Sequence, residues 1–204
     1  MKYLKLLVLA ILAGVAIGLG GTVFLMTDNR FLGALMFTVG LFCVCTRGFA
    51  LFTGRVCYAL EHGPDYLIDL LVIWCGNLMG TWFLAGAERM TRIGPALTEK
   101  AQALCEVKLA DSPLSLFILA MLCNVLIYVA VDGYAKNPHE LGKYLALFFG
   151  VMVFILCGFE HCVADMYYFS AAGAWGGKTF LYLAVMTLGN AVGGLLLPVM
   201  QKIS

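Results

Sequence analysis

Three ionisable residues close a run that otherwise carries no charge. Tyr144 to Phe159 is uncharged, and Glu160, His161 and Asp165 then follow within six positions. His161 has the broadest chemistry of the three. Imidazole donates and accepts hydrogen bonds, and it changes charge near physiological pH. Glu160 and Asp165 can accept from free backbone N–H groups or neutralise a cation. A second polar interruption lies earlier in the chain: Thr46-Arg47-Gly48 ends an apolar stretch, and Thr53-Gly54-Arg55 interrupts the next.

Composition decides what these interruptions mean. Of 204 residues, 62% are hydrophobic and only 12% are charged, with a mean hydropathy of +0.94. A soluble globular chain is about 25% charged. The chain therefore reads as an all-α integral membrane protein in a lipid bilayer. Its long unbroken apolar runs exclude barrel strands, which would alternate apolar and polar residues. Ionisable groups at membrane depth usually mark a path or a site. The net charge of +1 gives no case for a nucleic-acid partner. The eight cysteines form no Cys-x-x-Cys pair and read as small apolar fillers, so no metal is expected. A haem-binding enzyme subunit would need an axial His, often two. Only His161 lies at depth, since His62 and His139 fall in connections, so no cofactor and no enzyme activity are expected.

Six spans are needed to position these groups. Leu6 to Met26 is read as a retained first span rather than a cleaved signal, because its apolar run is long enough to cross about 30 Å. Phe31 to Cys45 and Phe49 to Leu60 are short pieces around a break, which reads as one discontinuous helix. Tyr66 to Gly86 is a full span. Ala87 to Ser112 carries most of the charge and reads as a loop or short surface helices. Leu114 to Val131 is a full span, Tyr144 to Phe159 and Cys162 to Ala172 form a second broken one, and Thr179 to Met200 is the last.

The two halves resemble each other. Gly40, Gly48 and Phe49 recur as Gly150, Gly158 and Phe159 at an offset of 110, and Gly76-Asn77 recurs as Gly189-Asn190 at an offset of 113. The expected layout is a single transmembrane domain: repeat one over about 1–86, a loop over 87–112, and repeat two over about 113–204. Three spans per repeat inverts the second copy, so the broken second and fifth helices meet near the midplane. Both termini then share one side, and the lysine and arginine balance leans toward cytoplasmic termini.

A broken helix exposes N–H groups that carry partial positive charge and suit an anion. Thr53 and His161 would face each other there. On residue chemistry alone His161 either contacts a small anion or weak acid, or staples the break by bonding a freed carbonyl. Glu160 reads as a brace, with Arg47 and Arg55 as its available cations. Arg55 and Asp165 sit 110 positions apart, so a pairing across the repeat axis is expected. Asn77 and Asn190 read as packing residues with an interhelical hydrogen bond. Asn124 either packs or faces the path.

Leu51-Phe52-Thr53-Gly54 and Gly158-Phe159-Glu160-His161, in this order and with the Gly-Asn segments, resemble the formate/nitrite transporter family over nearly the whole chain. The resemblance implies an aquaporin-like homopentamer with a pore in each protomer. It implies a pore centre of His161, Thr53 and Asn124. Leu41, Leu51 and Phe52 would build one constriction and Phe37 and Phe154 the other; without the family all of them would read as packing residues. Lys108 would attract anions, a role that rests on the resemblance alone. Gly48, Gly158, Glu160, Arg55 and Asp165 would be structural at the breaks. The chain departs from the family at Ala50, usually acidic, at Arg55, usually uncharged, and at Asp165, usually Asn. Span 1 starts at once, so gating by an N-terminal cytoplasmic helix is not carried over. The implied function is a plasma-membrane (inner-membrane) channel for small monovalent weak-acid anions such as formate, nitrite or hydrosulfide, proton-coupled at the central His. The alternative on the same fold is a pore for neutral solutes such as water or ammonia.

Overall fold

Apolar stretch length sets the architecture. In this computed structural model, which describes residues 1–203, six helices of 18 to 27 residues are long and apolar enough to cross a membrane. At 1.5 Å per residue they measure about 27–40 Å, against a hydrocarbon core of about 30 Å. The element order is α1 (Lys2–Met26), α2 (Arg30–Phe37), α3 (Val39–Arg47), α4 (Phe52–Arg55, continued as a 3-10 turn over Val56–Glu61), α5 (Tyr66–Arg89), α6 (Gly94–Ala110), α7 (Pro113–Lys136), α8 (Glu140–Cys157), α9 (Cys162–Ala172) and α10 (Gly177–Ile203). Helices α2 and α3 together make the second span. No strand occurs among the described residues.

Two helix pairs frame the bundle, α1 with α5 and α7 with α10. Small residues allow their close approach. A Cβ added at Gly80 would collide with the Ile11 carbonyl oxygen, and one added at Gly193 with that of Met121. Apolar association gains little inside lipid, so packing this tight has to supply the attraction between spans.

Helices α8 and α9 are separated by a break at Gly158, and α3 and α4 by one at Gly48. Both glycines are left-handed, with φ of 70° and 68°, which glycine adopts without a Cβ penalty. Helix α9 is buried along its whole length. It is tied to α1 and α5 by a triangle of polar groups. The Thr22 and Tyr167 hydroxyls lie 2.6 Å apart, and at 2.7 and 2.6 Å from the two Glu88 carboxylate oxygens, so their two protons are shared among the three contacts.

One expectation fails here. The segment 87–112 is neither a loop nor a set of short helices. Helix α5 continues to Arg89, and α6 is one 17-residue helix. Its charges are spread around the cylinder, but Leu97, Ala101, Cys105 and Lys108 are buried. Their spacing of four, four and three residues is a helical stripe, and it brings Lys108 inward beside α9.

A polar centre between two broken helices

Each break is held by an asparagine from a full-length helix. Asn77 Oδ1 accepts from Phe52 N at 2.9 Å, and its Nδ2 donates to the carbonyls of Ala10 and Ala50 at 2.8 and 2.9 Å. Asn190 Oδ1 accepts from Cys162 N at 2.8 Å, and its Nδ2 donates to the carbonyls of Ala120 and Glu160 at 2.7 and 2.9 Å. A buried backbone group left without a partner costs about 1–3 kcal/mol. One amide per break therefore satisfies two groups that the interrupted ladder would strand, an N–H and a carbonyl, and ties them to a carbonyl of a continuous neighbouring helix, α1 or α7. From the sequence both residues read only as packing with an interhelical bond. The available cue was that each Gly-Asn pair follows its break by a similar interval.

The clamps bring α4 and α9 end to end through their side chains. His161 Nε2 lies 2.9 Å from Thr53 Oγ1. His161 is also the N-cap of α9, its Nδ1 accepting from Ala164 N at 3.1 Å. That bond fixes the tautomer. With Nδ1 accepting, the imidazole proton sits on Nε2 and is donated to Thr53 Oγ1, which frees the Thr53 hydroxyl hydrogen. Asn124 Nδ2 donates to the Thr53 carbonyl at 3.0 Å, while its Oδ1 is buried without a hydrogen-bond partner. The structure thus brings His161, Thr53 and Asn124 together, all at most 2% exposed.

Apolar groups flank this centre. The Phe154 ring stacks on His161, with centroids 5.6 Å apart and planes 14° apart, and Phe37 meets Phe154 edge-on at 6.0 Å. Leu41 and Leu51 are buried. Leu51 also lines a cavity of about 190 Å³ that opens between α3, α4 and α7, with Gly48, Phe49, Arg55, Tyr58 and Val131 on its walls. Phe52 is placed differently. Its backbone serves the Asn77 clamp, and its ring edges an apolar surface groove with Val56, Leu70, Trp74 and Ala191.

The charged residues are paired in a way the sequence did not indicate. Lys108 Nζ contacts Glu160 Oε2 and lies 2.9 Å from Asp165 Oδ1, and all three residues are buried. The expected Arg55–Asp165 pair does not form. Asp165 faces α6, whereas Arg55 is exposed and joins no ion pair among the described residues. Glu160 is braced by Lys108, not by Arg47 or Arg55. Two carboxylates against one ammonium also leave Lys108 no surplus positive charge to present to an anion.

A bundle of six spans whose two broken helices meet at a buried, uncharged polar trio has the layout of a membrane transport protein. The family model described as Formate/nitrite transporter matches residues 1–203, and the chain belongs to that family, which consists of transporters and channels. It is 31% identical over 181 residues to "Uncharacterized transporter YrhG" of Bacillus subtilis, covering 81% of this chain and 68% of that one. It is 29% identical over 188 residues to "Formate-nitrite transporter 2" of Toxoplasma gondii, covering 83% of this chain but only 40% of that one. Among solved structures, a "Pentameric formate channel with formate bound" superposes with a TM-score of 0.81 at 25% identity, covering 99% of this chain and 96% of that one.

Proposed function

We propose that the chain is a channel for small monovalent weak acids, of which formate, nitrite and hydrosulfide are the candidates, and that the solute crosses the centre as its neutral conjugate acid. The observation that carries this reading is the His161–Thr53 bond with its fixed tautomer. The trio offers a donor, the Thr53 hydroxyl, and an unused acceptor, Asn124 Oδ1. Formate and nitrite have no O–H to give that acceptor, whereas their acids do; hydrosulfide already carries one S–H and gains a second on protonation. Desolvation opposes the charged form in a low-dielectric passage flanked by Phe154, Phe37, Leu41 and Leu51. An anion that takes a proton from water at one mouth, crosses as the acid and releases the proton at the other avoids that penalty. Coupling at the centre then means that Thr53 and Asn124 hydrogen-bond the acid while His161 orients the Thr53 hydroxyl, not that the imidazole carries its proton. A second proton on the ring would displace the Ala164 N–H from Nδ1.

The recurrence of the clamps supports the inverted repeat. Phe52 and Cys162, Ala50 and Glu160, and Ala10 and Ala120 are each 110 positions apart. The pentameric neighbour supports a homopentamer with one pore per protomer. Cytoplasmic termini in a plasma membrane complete the proposal.

The test is flux of the three anions into proteoliposomes holding this protein alone, over a pH series. Formate uptake should rise as pH falls, by up to about tenfold per unit while the acid is the minor species. Equal uptake from pH 5 to 8 would overturn passage as the acid. Thr53→Val should lower uptake at every pH. The second reading, a pore for water or ammonia, draws on the same uncharged trio. Liposome swelling in glycerol as fast as in formate would favour it.

A further inference from the structure

Two cations, Lys108 and Arg55, belong to the elements around the polar centre, and the structure treats them in opposite ways. Lys108 is buried against Glu160 and Asp165. Arg55 is exposed and lines the cavity of about 190 Å³ that Leu51 also lines, two residues from Thr53. Local carboxylates do not occupy it. Asp132, on the neighbouring α7, is held by Lys136 at 2.6 Å and by the Tyr58 hydroxyl at 3.2 Å. The hydrogen bonds at Arg55 are on its backbone, whose N–H donates to the Leu51 carbonyl at 2.9 Å and whose carbonyl accepts from the Tyr66 hydroxyl at 3.1 Å.

We propose that Arg55 is the anion-binding residue of this mouth and that it selects planar two-oxygen anions, a carboxylate or nitrite, over an anion with a single acceptor atom such as hydrosulfide. The inference rests on the channel reading and narrows its substrate class. A guanidinium presents parallel N–H donors whose spacing matches two oxygens on one atom. Lysine carries the same charge without that fork. The cavity sits between bulk water and Leu51, so an anion held there waits where protonation precedes passage.

The experiment compares wild type, Arg55→Gln, Arg55→Lys and Lys136→Gln. It measures the half-saturating concentration for uptake through this mouth at low ionic strength, in liposomes of determined orientation. Arg55→Gln should raise the value for formate and nitrite about three- to fivefold, the scale of an exposed charge-assisted contact. Arg55→Lys should raise it about twofold for those anions and leave hydrosulfide unchanged. Lys136→Gln, which removes a cation already paired, should do neither. The differences should shrink at high salt. Formate handling by Arg55→Gln equal to wild type overturns the site, full recovery by Arg55→Lys overturns the fork, and an equal effect of Lys136→Gln reduces it to general surface charge. Line broadening of 13C-formate by the purified protein supplies a second measure that needs no flux. Broadening lost in Arg55→Gln supports the site even if transport fails. A wild-type protein that neither broadens formate nor conducts it overturns the inference together with the channel reading.

Discussion

Between Gly48 and Phe52, and again between Gly158 and Cys162, the backbone makes the same set of bonds. A left-handed glycine ends the first helix. The next residue, Phe49 or Phe159, donates back to the carbonyl of Val44 or Phe154 at 2.9 Å. Ala50 N and Glu160 N reach the carbonyls of Leu9 and Leu119 at 3.2 and 3.4 Å. An asparagine then closes each break. The side chains share almost nothing. Where the first break has Ala50, Leu51, Thr53 and Arg55, the second has Glu160, His161, Val163 and Asp165. The comparison separates two demands. Interrupting a helix inside a membrane requires a glycine and an amide, because stranded backbone groups find no water there. The remaining positions are free to differ. One break exposes its charge to a cavity; the other buries two carboxylates against α6.

The sharpest way to break this comparison is to remove what only one side has. Lys108→Met leaves Glu160 and Asp165 buried without a counter-ion and should destabilise the protein by about 3–5 kcal/mol. Thermal unfolding in detergent measures it, and adding Glu160→Gln and Asp165→Asn should restore most of the loss. Next come the shared clamps. Asn77→Ala and Asn190→Ala should each cost roughly 2–4 kcal/mol by the same measurement. A large difference between them would mean that the two breaks are not held alike. Gly48→Ala and Gly158→Ala follow, at about 1–2 kcal/mol each, from the left-handed backbone alone, since an added Cβ meets nothing within 4 Å at either. The smallest effect belongs to Arg55→Gln, which should change stability by less than about 0.5 kcal/mol because the residue is exposed. A larger loss would show that Arg55 supports its break after all.

Much of this was legible in the sequence. Hydropathy located the six spans, and a glycine beside polar residues inside an apolar run marked both breaks. Thr53, His161 and Asn124 were placed together through their motifs, and they meet. What escaped was long-range pairing. Arg55 and Asp165 match in sequence register, but register across a repeat does not put two side chains face to face. The buried stripe of α6 was masked by its evenly spread charges, so Lys108 was read as free. The Asn77 and Asn190 clamps each join a carbonyl of another helix to a carbonyl and an N–H of a break, which spacing along one helix does not reveal. Phe52 shows the same limit: its motif fixed the residue, while its ring direction followed from the path of α4.

His161 caps α9 with the same ring that bonds Thr53. Swinging the ring aside would sacrifice both contacts, at about 1 kcal/mol each. The displaced rotamer should then be populated at only a few per cent. A gate built from that side chain would have to unwind the first turn of α9 whenever it opened. The imidazole is better regarded as a fixed wall, so any opening and closing of the path falls to neighbours whose rotamers carry no second duty.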